Sequence, residues 1–120
     1  MGTVLVVDDE PDVRLIARMV LQVDGFDVDE VATGEAALEA LDRQRPDLLL
    51  LDVRLPGIGG WEVLHRVRAD PALSGLPVVL FTADLGASSE APEHLEAGEV
   101  LLTKPFRADD LLAAVRAATA

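Results

Sequence analysis

Residues 47–52 read Asp-Leu-Leu-Leu-Leu-Asp, and this stretch indicates the fold class. A strand that is apolar on both faces is typical of the centre of a parallel sheet covered on both sides by helices. A second apolar run, Val4–Val7, is followed by Asp8 and Asp9, much as Leu48–Leu51 is followed by Asp52. Because the carboxyl ends of parallel strands meet at one edge of a sheet, we expect these carboxylates to converge there.

Apolar runs alternate with helical periodicity five times along the chain, which predicts a (βα)5 α/β domain with a doubly wound parallel sheet. The alternating second strand is expected at an edge, and the third helix is expected to begin with Gly59 or Gly60 as its cap. The predicted strands are Thr3–Val7, Asp27–Val31, Asp47–Asp52, Pro77–Thr82 and Val100–Thr103. The predicted helices are Pro11–Asp24, a helix from the cap residue Thr33 to Arg43, Trp61–Asp70, a short helix near Pro92 within Gly86–Gly98, and Ala108–Ala118.

The composition narrows the class of protein. The 120 residues suit a single domain over residues 1–120, and they include no cysteine, which excludes disulfides and thiolate zinc sites and favours a cytoplasmic location. A net charge of −12 disfavours direct binding of nucleic acid or anionic membranes. We see no export signal and no stretch long enough to span a membrane.

Five polar residues stand at or just beyond the carboxyl ends of the predicted strands, and their chemistry fits one reaction. Crowded carboxylates repel one another unless a cation lies among them, so Asp8, Asp9 and Asp52 predict a Mg²⁺ site. Asp52 can also attack phosphorus as a nucleophile, which would form an acyl phosphate. The Thr82 hydroxyl and the Lys104 ammonium can each bind a phosphoryl oxygen. The set therefore predicts phosphoryl transfer to Asp52.

With these residues in place, the chain resembles a bacterial two-component response-regulator receiver domain over essentially its whole length. The matching motifs are the Asp8-Asp9 pair, the strand Leu48–Asp52 followed by Leu55-Pro56-Gly57, Thr82-Ala83, and Lys104-Pro105-Phe106. The resemblance implies a flavodoxin-like fold with the strand order 2-1-3-4-5.

The resemblance also implies a role for each site residue. Asp52 is the expected phosphoacceptor. Asp9 is the expected direct ligand of Mg²⁺, with Asp8 nearby or acting through water, and Arg54 contributes its backbone carbonyl. Thr82 and Lys104 are the expected pair that senses the phosphoryl group, and the peptide bond between Lys104 and Pro105 is expected to be cis.

The function implied is a phosphorylation-dependent signalling switch of a two-component system or phosphorelay. The phosphoryl donor would be a phosphohistidine on a sensor histidine kinase or a histidine phosphotransfer protein. Output to a downstream protein target would use the face made by the fourth predicted helix, the fifth strand and the last helix, and a phosphorylation-dependent homodimer is left open. The domain would be no enzyme beyond its own phosphorylation and, at most, slow dephosphorylation. No output domain is visible after the last predicted helix, and three arrangements stay open: a stand-alone regulator, a phosphorelay intermediate, or a module of a longer protein.

Two features depart from the common receiver pattern. Leu101 stands where receivers commonly carry Tyr or Phe, so the usual aromatic switch is absent or altered, and Leu101 either packs in the strand or adds apolar surface to a partner interface. Arg54 and Asp84 stand at the two positions that line the path of the hydrolytic water in the family. Their opposite charges predict a pair that slows hydrolysis of the acyl phosphate.

Two other classes of protein share features with this chain but fit its residues less well. A haloacid-dehalogenase-type phosphatase also phosphorylates an aspartate at a strand end, but it needs a general acid where this chain has Arg54, which cannot release a proton at neutral pH. A flavodoxin-like cofactor-binding module needs a phosphate cradle after the first strand, where Asp8, Asp9 and Glu10 would repel a phosphate.

Overall fold

The structure is a computed structural model that describes residues 2–82 and 99–119. Within these ranges five strands and four helices are present, and the helices are numbered here in chain order. The strands are β1 (Thr3–Val7), β2 (Asp27–Val31), β3 (Leu48–Asp52), β4 (Val78–Thr82) and β5 (Val100–Thr103). The helices are α1 (Pro11–Val23), α2 (Gly34–Arg43), α3 (Gly60–Ala69) and α4 (Ala108–Thr119).

The described strands form one parallel sheet in the order β2-β1-β3-β4-β5. This confirms the predicted fold class and strand order. All five residues of β3 are buried, whereas β2 lies at an edge with exposed and half-buried residues in alternation. The register pairs Val7 with Leu51 and Asp52 with Phe81, so the strands end at nearly the same level.

The apolar residues on the two faces of the sheet form two separate cores. The first core packs β-strand side chains against α2 and α3, and the second packs the alternate side chains against α1 and α4. Leu49 and Leu51 belong to the first core, and Leu48 and Leu50 belong to the second. The run of four leucines is therefore explained by a strand that supplies both cores.

The helix ends follow local sequence signals. Pro11 stands in the first turn of α1, and Gly25 follows that helix with a φ of 98°, a conformation that glycine adopts without a steric penalty. The Thr33 side chain caps α2 by accepting a hydrogen bond from the backbone N–H of Ala36 at 3.0 Å. Helix α3 has Gly59 as its cap and no side-chain hydrogen bond there, as its sequence predicts.

The loop between β3 and α3 lies directly against the end of β3. The backbone N–H of Gly60 donates to the carbonyl of Val53 at 3.0 Å. A Cβ atom on Gly60 would lie only 2.2 Å from the carbonyl oxygen of Asp52. The absence of a side chain at Gly60 therefore lets α3 begin against the strand end that carries Asp52.

The differences from the predicted bounds are small, and two predictions cannot be compared with the structure. Helix α3 begins one residue earlier than expected, and β3 and β4 each begin one residue later. The predicted helix near Pro92, and residues Ala83 and Asp84, lie outside the described residues. In residues 2–82 and 99–119, no helix combines the length and the apolar character that a membrane crossing requires.

Candidate functional site

The predicted site residues lie at one end of the sheet. Asp8 and Asp9 follow β1, Asp52 is the last residue of β3, Thr82 is the last residue of β4, and Lys104 follows β5. All four strands run parallel, so their carboxyl ends deliver these residues to the same edge. Sequence positions almost a hundred residues apart are in contact here, as the bond from Lys104 to Asp8 shows.

The ammonium group of Lys104 lies among three carboxylates. Its Nζ atom is 2.6 Å from Oδ2 of Asp8, 3.3 Å from Oδ2 of Asp52 and 3.4 Å from Oε1 of Glu10. Burial alone would lower the pKa of Lys104, but the hydrogen bond to Asp8 and the charge of Asp52 outweigh burial and raise the pKa. Lys104 therefore stays positively charged throughout the physiological range.

Asp52 is a buried carboxylate held at both oxygens. Oδ1 accepts a hydrogen bond from the backbone N–H of Arg54 at 3.0 Å, and Oδ2 faces Lys104. Burial raises the pKa of Asp52 from its ordinary 3.8 to about 6, because the charged form loses hydration and the charge of Asp8 adds repulsion. The hydrogen bond from Arg54 and the charge of Lys104 act in the opposite direction and limit the rise in this pKa.

Asp8 is the most constrained of the acidic residues. It is fully buried, its Oδ1 accepts from the backbone N–H of Glu10 at 2.9 Å, and its Oδ2 accepts from Lys104. Asp9 and Glu10, in contrast, are exposed. One carboxylate oxygen from each of Asp8, Asp9 and Glu10 lies within 4.8 Å of the others.

The donor set of this acidic cluster suits a hard divalent cation. Mg²⁺ prefers oxygen ligands and keeps several waters, so it needs only one or two carboxylates from a protein. The described residues gather Asp8, Asp9 and Glu10 most compactly, while Asp52 joins them through Lys104. Glu10 is thus close to the predicted magnesium site, although the sequence analysis assigned it no role there.

The end of β4 is tied to the residue that follows β5. The backbone N–H of Lys104 donates to the carbonyl of Thr82 at 2.8 Å, and Thr82 itself is buried. The peptide bond between Lys104 and Pro105 is cis, as the resemblance implied. Phe106 stacks on Phe81 with the ring centroids 5.2 Å apart, so the turn after β5 packs on β4.

Leu101 in β5 is 38% exposed, on a face that β5 shares with α4. A shallow groove of about 540 Å³ is lined there by Val100, Leu101, Ala113 and Ala117, among others. Leu101 is therefore a partly exposed apolar residue of β5, and its place in a partner interface stays a prediction. The position of Asp84, which was predicted to pair with Arg54, lies outside the described residues.

Comparison with known proteins agrees with this architecture. The family described as the response regulator receiver domain matches residues 4–116. The chain is 38% identical over 115 residues to the probable transcriptional regulatory protein TcrX of Mycobacterium tuberculosis, covering 96% of this chain and 48% of that protein. It is 40% identical over 121 residues to the DNA-binding response regulator MtrA of Mycolicibacterium smegmatis, covering 95% of this chain and 49% of that protein.

A solved structure leads to the same class. The chemotaxis response regulator CheY4 of Vibrio cholerae matches with a TM-score of 0.88 and 28% identity, covering 98% of each chain. The fold and the acidic edge of the sheet define a receiver-type α/β domain. The chain belongs to the response regulator receiver domain family. It spans about half the length of the curated relatives it matches.

Proposed function

We propose that this receiver domain accepts a phosphoryl group on the side chain of Asp52 and thereby acts as a signalling switch. The observation that carries the proposal is the position of Asp52: a buried carboxylate at a strand end, 3.3 Å from an ammonium group that also binds Asp8. Family membership favours this function over the phosphatase and the flavodoxin-like cofactor binder.

The raised pKa of Asp52 is compatible with a nucleophilic role. With a pKa of about 6, Asp52 is ionised in most molecules at neutral pH. Because the side chain is buried, less water must be removed from it before reaction than from an exposed carboxylate. A carboxylate oxygen of Asp52 forms a bond to phosphorus while the bond from phosphorus to the donor's imidazole nitrogen breaks. The electron pair of that bond leaves with the imidazole, so the phosphoryl group moves without a change in oxidation state.

The acidic cluster is the proposed magnesium site. Asp9, which is exposed, would bind the ion directly, and Asp8 would act nearby or through water because both of its carboxylate oxygens already accept hydrogen bonds. Asp52 and the backbone carbonyl of Arg54 would complete the set, as the family pattern implies. When bound, Mg²⁺ neutralises the negative charge that develops on the phosphoryl oxygens.

Lys104 and Thr82 are the proposed sensors of the phosphoryl group. Lys104 is already paired with Asp52, so a phosphoryl oxygen on Asp52 would be within reach of the same ammonium after a small movement. The Thr82 carbonyl accepts a hydrogen bond from the backbone N–H of Lys104, so a movement of one residue would also displace the other. This coupling links phosphorylation to the carboxyl ends of β4 and β5.

The output surface is proposed to include the exposed face of β5 and α4, extended by the predicted helix near Pro92. Leu101 would contribute an apolar contact there in place of an aromatic ring. Phosphorylation would shift an equilibrium between two conformations of this face. A downstream protein, or a second copy of the domain, would then bind the favoured conformation.

The donor would be a sensor histidine kinase or a histidine phosphotransfer protein, and the domain would act in the cytoplasm as a single unit over residues 1–120. Beyond accepting the phosphoryl group, its own chemistry would be limited to slow loss of that group by hydrolysis. A pair between Arg54 and Asp84 would slow this loss, and Arg54→Ala should then accelerate it.

Acetyl phosphate with Mg²⁺ tests the proposal, with intact-mass spectrometry as the readout. We expect one added phosphoryl group on the native domain and none on Asp52→Asn. Asp47→Asn is the matched control, because Asp47 precedes the same strand at its opposite end and accepts a hydrogen bond from Thr3 at 2.8 Å that an amide oxygen can also accept. Equal phosphorylation of Asp52→Asn and the native domain would contradict the assignment of Asp52.

A further inference from the structure

Arg14 connects helix α1 to the backbone of the acidic cluster. Its Nη1 donates a hydrogen bond of 2.7 Å to the backbone carbonyl of Asp8, the residue at which β1 passes into the turn that carries Asp9 and Glu10. The Arg14 side chain is only 20% exposed. We propose that Arg14 is a positioning residue for the magnesium site, an inference that rests on the proposed function.

Glu30 on β2 orients the guanidinium group of Arg14. Its Oε1 lies 3.5 Å from Nε of Arg14, and its Oε2 lies 2.6 Å from Nη1 of Arg18, one turn further along α1. Because a guanidinium group is planar and rigid, fixing Nε on one side directs Nη1 toward the carbonyl on the other. Strand β2 therefore supplies a carboxylate beside the guanidinium group that makes the hydrogen bond to the site.

The hydrogen bond from Arg14 completes the restraint of Asp8. The backbone N–H of Asp8 donates to the carbonyl of Val31 at 3.3 Å, and both carboxylate oxygens accept hydrogen bonds from Glu10 and Lys104. Arg14 adds a charged donor on the carbonyl, the group that leads into Asp9. Loss of Arg14 would let the start of the turn that carries Asp9 and Glu10 move. Binding sites tolerate displacements of their side chains of only about 0.5 Å, so this movement would weaken the site.

Arg18 provides a control with the same charge and the same partner. Both arginines lie on α1 and both pair with Glu30. In the part of the chain that the structure describes, however, Arg18 makes no hydrogen bond to Asp8. Replacing either residue removes one positive charge and one ion pair with Glu30, and only replacement of Arg14 also removes the hydrogen bond to the Asp8 carbonyl.

The experiment is isothermal titration calorimetry of the unphosphorylated domain with Mg²⁺ alone. Removal of residues that hold metal ligands in place commonly weakens binding by 10- to 100-fold, so we expect Arg14→Met to bind Mg²⁺ about tenfold more weakly than the native domain. Arg18→Met should stay within about twofold of the native affinity, since only the general charge effect applies. Arg14→Lys keeps the positive charge but lacks the planar guanidinium group, so its Mg²⁺ affinity should be close to that of Arg14→Met.

Amide hydrogen exchange without metal gives a second, independent readout. The amides of Asp9 and Glu10 should exchange faster in Arg14→Met than in Arg18→Met, because only the former frees the turn. Glu30→Gln serves as a further variant should Arg14→Met fold poorly. It leaves Arg14 in place but weakens its orientation, and we expect Mg²⁺ affinity between those of the native domain and Arg14→Met.

Equal Mg²⁺ affinity and equal exchange in the Arg14 and Arg18 variants would overturn the positioning role and leave the proposed function intact. A native domain that binds no Mg²⁺ would overturn the metal site, and with it this inference. The two failures are therefore distinguishable, because the first concerns the comparison of variants and the second concerns the native domain alone.

Discussion

The two ends of the sheet treat buried charge differently. At the amino end, Arg68 of α3 pairs with Glu99, the residue before β5, through Nε and Nη2, each at 2.7 Å. Nη1 of Arg68 donates to the carbonyls of Ser74 and Leu76 at 2.9 and 2.7 Å. At the carboxyl end, the ammonium of Lys104 is shared by three carboxylates.

This difference separates a structural use of charge from a functional one. The Arg68–Glu99 pair balances one positive with one negative charge, and its side chains are 7% and 0% exposed, so it closes the α3–β4 connection onto the start of β5. The carboxyl end keeps an excess of negative charge close to Lys104. Burying unbalanced charge costs stability, and such a cost is typical of a site that awaits a cation and a phosphoryl group.

The largest expected effect is at the amino end. Arg68→Met should lower the free energy of unfolding by about 3 to 5 kcal/mol, because it leaves the Glu99 charge buried without this partner and removes the donor to two carbonyls. Urea denaturation measures this change. Arg66→Met is the control, since Arg66 pairs with Glu62 on the exposed surface of the same helix and should cost at most about 0.5 kcal/mol. Similar losses in both variants would remove the distinction between the buried and the exposed pair.

The next effect is at the carboxyl end and depends on metal. Without Mg²⁺, Lys104→Met should destabilise the domain by about 2 kcal/mol, because the fully buried Asp8 loses its counter-charge. Added Mg²⁺ should stabilise this variant more than the native domain, since a bound ion replaces part of the missing positive charge. Thermal unfolding with Mg²⁺ and with EDTA gives the comparison. Mg²⁺ should stabilise Arg68→Met only as much as it stabilises the native domain, and a larger gain in this variant would show that the two ends do not differ in this way.

A smaller effect of opposite sign is expected at Asp52. Its pKa is about 6 in the folded domain against an ordinary 3.8, so the ionised side chain opposes folding. Asp52→Asn should therefore raise the free energy of unfolding at pH 7 in EDTA by about 1 to 3 kcal/mol. Asp47→Asn, at the other end of the strand, should change stability by less than about 0.5 kcal/mol. A loss of stability in Asp52→Asn would contradict the view that the ionised Asp52 side chain at the carboxyl end of the sheet destabilises the folded domain.

The effect of Asp52→Asn on stability should depend on pH. Between pH 3.8 and about 6 the folded domain binds more protons at Asp52 than the unfolded chain does, so this residue contributes stability at low pH that is lost as the pH rises through about 6. The free energy of unfolding of Asp52→Asn should thus exceed that of the native domain most above pH 7, and this difference should shrink as the pH falls toward 4. Urea titrations at several pH values, in EDTA, measure the gap, and a gap independent of pH would refute this origin.

Much of the fold could be predicted because its signals are local. The run Leu48–Leu51 indicated a doubly covered strand, Thr33 indicated a helix start, and Gly25 indicated a helix stop. Each of these depends on the chemistry of a few neighbouring residues. The starts of α3, β3 and β4 differ by one residue from the predicted bounds because the first hydrogen bond of an element depends on the geometry of the loop before it.

The candidate site was predictable in membership and less so in its contacts. Asp8 and Lys104 follow strands and Asp52 ends one, and parallel strands bring their carboxyl ends together. The contacts of Glu10 and Arg14 with this cluster were not predicted. Glu10 is adjacent to the acidic pair and its contact with Lys104 could have been expected on that ground, whereas Arg14 contacts a backbone carbonyl, for which side-chain patterns give no signal.

The order of residue types along the chain therefore established the class of fold, the family and the identity of the acidic residues, because hydrophobic periodicity and strand-end placement are encoded locally. Only the tertiary structure decided which charges share a partner: Lys104 with three carboxylates at one end, and Arg68 with Glu99 at the other. The physical reason is that charge balance in a buried site depends on distances between elements far apart in sequence. Those distances exist only once the sheet is assembled and both of its faces are packed.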